Sequence, residues 1–318
     1  MASNSFGDIL RITTFGESHG PGLGVVIDGC PAGVPLQEAD FLPELARRRP
    51  GQSQVTTQRQ EADQPELLSG VFEGKTLGTP IAILVRNTDA RSGDYSPAPE
   101  ADRPGHADQA WREKFGHRDH RGGGRSSGRE TVARVLGGVV ARKLLPGDCL
   151  VRGHTLAVGP IRAKRFLPET IEANPMRCAD PEAALAMQAY VLDLKAAGDS
   201  SGALLEIRVT GVPAGLGDPV FHKLKADLAH AILSIGAVTG CSYGAGFDTA
   251  TMRGSEYLAD PAHFGGMLGG ISNGEELRLL VSIKPTTSIG DVAKLGRHDP
   301  CIAPRVVPVV EAMVALVL

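Results

Sequence analysis

The chain has 318 residues, of which 42% are hydrophobic and 22% charged, and a formal net charge of −3. This balance is ordinary for a folded globular protein and excludes wholesale disorder. The slight acidic excess speaks against a nucleic-acid binder, and no run approaches the roughly 18 apolar residues that a membrane helix needs. Residues 1–8 offer neither a basic leader nor an apolar segment, so no signal peptide is expected. Five cysteines with no Cys-x-x-Cys pair fit reduced thiols in a cytoplasm better than disulfides or structural zinc. Aromatics are only 4%, against 40 glycines and 22 prolines. The core must therefore be built from Val, Ile, Leu and Ala, with many sharp turns and close backbone approaches.

In chain order, residues 10–15 and 24–27 read as short strands around the loop 16–20. Residues 36–49 read as a helix with a basic end at Arg47, Arg48 and Arg49. Pro43 is tolerated only in a first turn, so its regular part should begin near Asp40. Residues 71–72 and 81–85 read as strands, and 87–124 as loop-rich. A helix begins near Gly128, with Val132, Val135, Leu136, Val139, Val140 and Leu144 on one face. Ser127 followed by Glu130 has the capping-box spacing. Strands are expected at 204–209 and 277–283, and helices at 181–197, 224–235 and 306–318, the first capped by Asp180. A strand, then Gly29-Cys30-Pro31-Ala32-Gly33, then a helical Ala39-Asp40 is echoed by a strand, Gly211-Val212-Pro213-Ala214-Gly215 and Ala226-Asp227. The echo predicts two related αβ units sharing one core.

Several stretches carry chemistry. Gly122-Gly123-Gly124-Arg125-Ser126-Ser127-Gly128-Arg129 leaves backbone N–H groups uncovered at a helix start, which suits anions. Arg125, Arg129 and Arg134 add guanidinium forks matched to phosphate and carboxylate. Gly16-Glu17-Ser18-His19-Gly20 satisfies the nucleophile-elbow pattern, but a strand follows where the elbow requires a helix. His106 in the loop 103–108, Asp299 in 296–301, and Lys284-Pro285-Thr286-Thr287-Ser288 at a strand end are further polar clusters. No ligand pair has zinc spacing, so no metal is expected.

Together these stretches resemble the three signature regions of the chorismate synthase family: 14–20 the first, 124–134 the second and 296–313 the third. The resemblance runs from Phe6 almost to the last residue. It implies a single domain over 1–318 with an α+β fold, a β-α-β sandwich of central helices flanked by antiparallel sheets, assembled as a homotetramer. It also implies a lyase that uses reduced FMN, with NADPH as a candidate reductant, to eliminate phosphate from 5-enolpyruvylshikimate 3-phosphate in a 1,4-anti sense, giving chorismate. Carried over by position, Arg125, Ser126, Ser127, Gly236, Ala237, Gly269, Lys284, Pro285, Thr286, Thr287, Ser288 and Arg297 contact the flavin. Arg48, Arg129 and Arg134, with Arg297, line the substrate or NADP site. His19 is the acid near the departing phosphate, His106 lies near the flavin pyrimidine edge, and Asp299 near flavin N5. Gly236 and Gln54 stand where the family commonly has Asn and Arg, and the segments 256–262 and 290–295 are shorter than expected. Two other classes compete: a serine hydrolase using Ser18, and a non-catalytic module holding a flavin or other anion. A flavin titration with and without substrate separates all three.

Overall fold

Period-two runs of aliphatic residues build two sheets, each with one face turned to a shared helical layer. The computed structural model describes residues 3–56, 62–88, 102–290 and 299–318. In the first sheet β1 (Ser5–Phe6), β2 (Arg11–Gly16), β3 (Gly22–Asp28), β4 (Pro65–Ser69) and β5 (Ile81–Arg86) lie in the order 1-2-3-5-4. In the second, β6 (Leu150–Val158), β7 (Ile161–Arg162), β8 (Ala203–Thr210), β9 (Val238–Tyr243) and β10 (Leu277–Ile283) lie in the order 7-6-8-10-9. Neighbouring strands are antiparallel throughout both sheets. Leu23, Val25 and Ile27 of β3, with Ile81, Ile83 and Val85 of β5, are buried, and Val25 stands opposite Ile83. Leu205, Ile207 and Val209 of β8 do the same against β10, with Ile207 opposite Leu279.

Four helices fill the space between the sheets: α1 (Leu42–Arg48), α2 (Thr131–Arg142), α3 (Leu224–Leu233) and α4 (Ala303–Val317). Helix α2 packs on β2 and β3, α4 packs on β6 and β8, and the two helices pack on each other. Both are apolar nearly all round, as helices enclosed on every side must be. Two consecutive glycines allow this crowding. A Cβ at Gly137 would lie 2.9 Å from Ile12 of β2, and one at Gly138 only 2.3 Å from the Ala312 Cβ of α4.

Setting aside the two-residue edge strands β1 and β7, the sheet orders become 2-3-5-4 and 6-8-10-9, which are the same order. Each sheet's second strand leads through its Pro-Ala-Gly turn to a helix, α1 or α3, and each ends in a long central helix, α2 or α4. The duplication expected from the echo is thus present in the topology, and the β-α-β sandwich is the one expected. No helix among the described residues is long and apolar enough to cross a membrane.

Some local expectations differ. The capping box does not form: the Ser127 side chain accepts from Arg129 N at 3.2 Å, while Glu130 pairs with Arg134 at 2.7 Å. A short 3-10 turn, Gly128–Glu130, therefore precedes α2. Leu144 lies beyond the helix end and is exposed. Residues 36–49 form a 3-10 turn, Glu38–Phe41, and then α1, with Pro43 in the first turn. The last helix starts three residues earlier than 306, at Ala303, because Pro304 fits a first turn. The stretch 87–124 holds an eight-residue helix, Asp108–Phe115.

Candidate active site

A cavity of about 1250 Å³ opens where the end of α1, the Gly-rich turn before α2, the end of α3 and the start of α4 converge. It exceeds the roughly 300–1,000 Å³ usual for one small ligand, so two small molecules fit. Its lining includes Arg48, Arg125, Ser126, Ser127, Arg129, Arg134, His106, Gly236, Ala237, Lys284, Pro285, Thr286, Thr287, Ser288 and Asp299. Arg48 and Asp299, 251 positions apart in sequence, thus meet on one surface. His19 and Gly269 are not among the lining residues. Arg297 lies outside the described residues.

The floor is a chain of charge-assisted hydrogen bonds. Arg48 and Arg129, 2% and 4% exposed, share the carboxylate of Asp63, itself 2% exposed. Arg48 Nη1 donates to Asp63 Oδ2 at 3.0 Å and Arg129 Nη1 donates to Asp63 Oδ1. Arg129 Nε donates to Asn87 Oδ1 at 3.0 Å, and Asn87 Nδ2 donates to the Glu17 and Gly20 carbonyls at 3.1 and 2.8 Å. At the other end, Arg305 Nε donates to the Arg48 carbonyl at 3.2 Å, and its Nη1 donates to Asp299 Oδ2. Among the described residues, Arg305 is thus a cation paired with Asp299, one that the sequence reading did not single out. Thr286 Oγ1 also donates to the Asp299 carbonyl at 3.0 Å, tying that residue to the 284–288 segment.

Two of the expected anion-binding arginines have structural work as well. Arg125 reaches across to β2, donating to the Gly16 carbonyl at 3.2 Å and to Thr14 Oγ1 at 2.5 Å. Arg134 grips the end of α3 through Ser234 Oγ at 2.6 Å and the Ser234 carbonyl at 3.0 Å. A cation suits a helix C-terminus, where carbonyls lack intrahelical partners.

The 103–108 loop is stiff for a visible reason. Asp108 accepts Arg103 Nε and Nη2 at 2.7 and 2.8 Å. Burial opposes ionisation of Asp108, but Arg103, with Arg118 behind it, holds the carboxyl down at about 2. The loop rests on 284–288: a Cβ at Gly105 would lie 2.7 Å from Thr287 Cγ2, and His106 Nε2 lies 3.2 Å from Ser288 Oγ. His19 sits under the Gly-rich turn instead. A Cβ at Gly122 would lie 2.3 Å from its Nδ1, so only glycine lets that backbone cover the ring. Its Nδ1 is 3.0 Å from Ser18 Oγ. Glu17 is nearby; burial raises its carboxyl, Arg125 opposing and Asp119 reinforcing the shift.

The hydrolase alternative does not survive this geometry. Ser18 is wholly buried, and the strand β3 follows it where an elbow needs a helix. Asp63, Asn87 and Arg305 were missed. For Arg305 a signal existed, since it lies within the third signature stretch; Asp63 sits in a polar run that marks nothing.

Such a fold and cavity describe an enzyme for a small molecule carrying several negative charges. A family model described as chorismate synthase matches residues 10–318. The chorismate synthase of Methanocella arvoryzae is 54% identical over 348 residues, covering 100% of this chain and 94% of that protein. Those of Methanosarcina mazei and Granulibacter bethesdensis are 52% and 50% identical, each again matched along 100% of this chain and along 95% and 96% of their own lengths. A crystal structure of chorismate synthase matches with a TM-score of 0.81 at 30% identity, over 98% of this chain and 91% of that one. The chain belongs to the chorismate synthase family and is a lyase of the shikimate pathway. The alignment to the first relative spans 348 positions against 318 residues here, so that protein carries internal segments this chain lacks.

Proposed function

We propose that the cavity holds reduced FMN beside 5-enolpyruvylshikimate 3-phosphate, and that the chain catalyses 1,4-anti elimination of phosphate to give chorismate. The observation that carries the reading is the cluster of Arg48, Arg129 and Arg305 on one cavity wall. The substrate has two carboxylates and a phosphate, and charge-assisted hydrogen bonds contribute about 1.5–3 kcal/mol each. The residues present also fit a flavin. A side chain at Gly236 would meet nothing within 4 Å, so the backbone there lies open. Ala237 beside it takes φ +71°, and Ser126, Ser127 and Lys284 to Ser288 supply hydroxyls and a cation to the same space. When bound, reduced flavin supplies transient electron density to an otherwise slow C–H and C–O cleavage, with no net oxidation.

The chain's own residues do the rest. Arg48 and Arg129 hold the substrate's anionic groups, and Arg134 closes the α3 side. Asp299 accepts the proton released from the substrate carbon, its Oδ2 fixed by Arg305. His106 orients the polar ring edge together with Ser288, and His19, which does not line the cavity, keeps its role as the acid near the departing phosphate by resemblance alone. Gly269 and Arg297 stay in the proposed flavin set by resemblance alone. NADPH enters only as a candidate reductant of the flavin. The buried cluster that runs through both sheets and the helices between them supports one domain over 1–318. The five free cysteines fit a reducing cytoplasm. The homotetramer implied by the family would cover side chains such as Phe221 and Phe247, now 87% and 83% exposed.

An anaerobic assay scoring phosphate and chorismate tests the reading. Turnover should require reduced FMN and be catalytic in it. Equal turnover with oxidised FMN in air, or with no flavin, would overturn it.

A further inference from the structure

We infer that Asp63 is a positioning residue for substrate: it holds Arg48 and Arg129 side by side so that both present to one polyanion. This rests on the reading of the cavity as a polyanion site. Arg48 comes from the end of α1 and Arg129 from the turn before α2, 81 positions later in the chain. Both line the cavity, whereas Asp63 does not and sits behind them. Each of its oxygens takes one guanidinium, Oδ2 from Arg48 and Oδ1 from Arg129. Two cations brought so close in a buried place repel and are costly to desolvate. One carboxylate between them offsets that repulsion and fixes the direction of both planar forks.

Further partners among the described residues hold each arginine from its other side. Arg48 Nε donates to Thr131 Oγ1 at 3.2 Å and its Nη2 to the Gly128 carbonyl at 3.4 Å. Arg129 Nε donates to Asn87. Asp63 itself takes φ +47°, a left-handed backbone that most side chains avoid and Asp tolerates better than most. Such a conformation persists where its surroundings over-determine it.

The test compares the wild type with Asp63→Asn, Arg129→Ala and the double variant, using reduced FMN and 5-enolpyruvylshikimate 3-phosphate. Asp63→Asn keeps the shape, but loses the charge and turns one acceptor into a donor facing a guanidinium. Its KM should rise about 10- to 100-fold while kcat stays within a factor of about three and FMN affinity is unchanged. Adding Arg129→Ala to Asp63→Asn should raise KM far less than Arg129→Ala does in the wild type. Should Asp63→Asn fail to fold, Asp63→Glu keeps the charge but displaces the forks, and its KM should rise several-fold. A wild-type KM in the variant that folds, or effects of Asp63 and Arg129 that simply multiply, would overturn the inference while leaving the proposed function intact. A wild type that neither binds nor turns over this substrate would sink both.

Discussion

Arg47 and Arg48 are neighbours on α1, and they turn to two different buried carboxylates. Arg47 meets Glu311 of α4, 1% exposed, through Nη1 at 2.6 Å and Nη2 at 3.1 Å. Glu311 also accepts from Arg142 at 2.8 Å and from the Gly153 backbone N–H at 2.6 Å. Around them Glu44 accepts from both Arg47 and Arg142, and Glu172 from both Arg47 and Arg177. Three carboxylates thus meet three guanidiniums, and the network closes on itself. Arg48 faces the other way, toward Asp63, Arg129, Arg305 and Asp299, where Asp63 takes Arg48 and Arg129 and Asp299 takes Arg305. The parts are alike but the places differ. The first network ties α1, α2, α4 and β6 together, whereas the second lies along the cavity wall, where Arg48, Arg129 and Arg305 line the space.

The largest effect should come from the balanced network. Glu311→Ala leaves Arg47, Arg142 and the Gly153 N–H buried around a missing acceptor, which costs about 3–5 kcal/mol. The melting temperature should fall by roughly 5–7 °C, with substrate KM unchanged wherever the variant is folded. A melting point within a degree or two of the wild type, or a KM that moves with it, would erase the distinction between the two networks.

Next is Asp299→Asn, on the cavity side. The amide keeps a hydrogen bond from Arg305 but cannot accept a proton. We expect kcat to fall about 100-fold or more, with FMN and substrate still bound and the melting point little changed. If binding or stability falls while kcat holds, Asp299 belongs with the structural carboxylates, and Arg305 is its partner for the fold alone.

The smallest effect concerns acid. Burial tends to raise the Glu206 carboxyl, but His154, Arg208 and Arg278 around it bring it down to about 2. A carboxyl lower in the folded than in the unfolded chain stabilises above its unfolded value near 4.5 and loses that contribution as pH falls toward 2. Between pH 4.5 and pH 3 this one group should account for about 1.5 kcal/mol. Glu311 is lowered in the same sense: burial raises it, but Arg47, Arg142 and the Gly153 N–H outweigh that. Glu206→Gln should therefore flatten the melting curve against pH in this window, and equal slopes for variant and wild type would refute the assignment.

How far the sequence reached depends on which face of an element carried the message. Residues 24–27, 81–85, 204–209 and 277–283 were legible because aliphatic side chains alternate toward the helices. Strand β6 was not, because Arg152, Gly153 and His154 interrupt its pattern. His154 is buried with its Nε2 3.0 Å from Glu206 Oε2, so polarity there signals pairing and not exposure. Strand β4 is hidden by its opening proline and by Glu66, and the helix Asp108–Phe115 by the glycines and prolines around it. In the site, arginines and glycines announce themselves through type and spacing. Asp63 acts through partners 15 or more positions away, which no local pattern encodes, and Arg305 through a helix start, marked only by its place in the third signature stretch.

The crossing of α2 and α4 at Gly138 and Ala312 has a reach beyond packing. One turn before Gly138 is Arg134, and next to Ala312 is Met313; both line the cavity, and Arg134 Nη1 lies 3.7 Å from Met313 Sδ. The width of the chamber is therefore gauged at a point that never touches its contents. The absence of one methyl group sets how far apart the two repeated halves stand, and with it the bore of the space they enclose. A change of ligand size in a descendant of this chain could begin there, in the calibre of a helix contact, before any residue facing the ligand is altered.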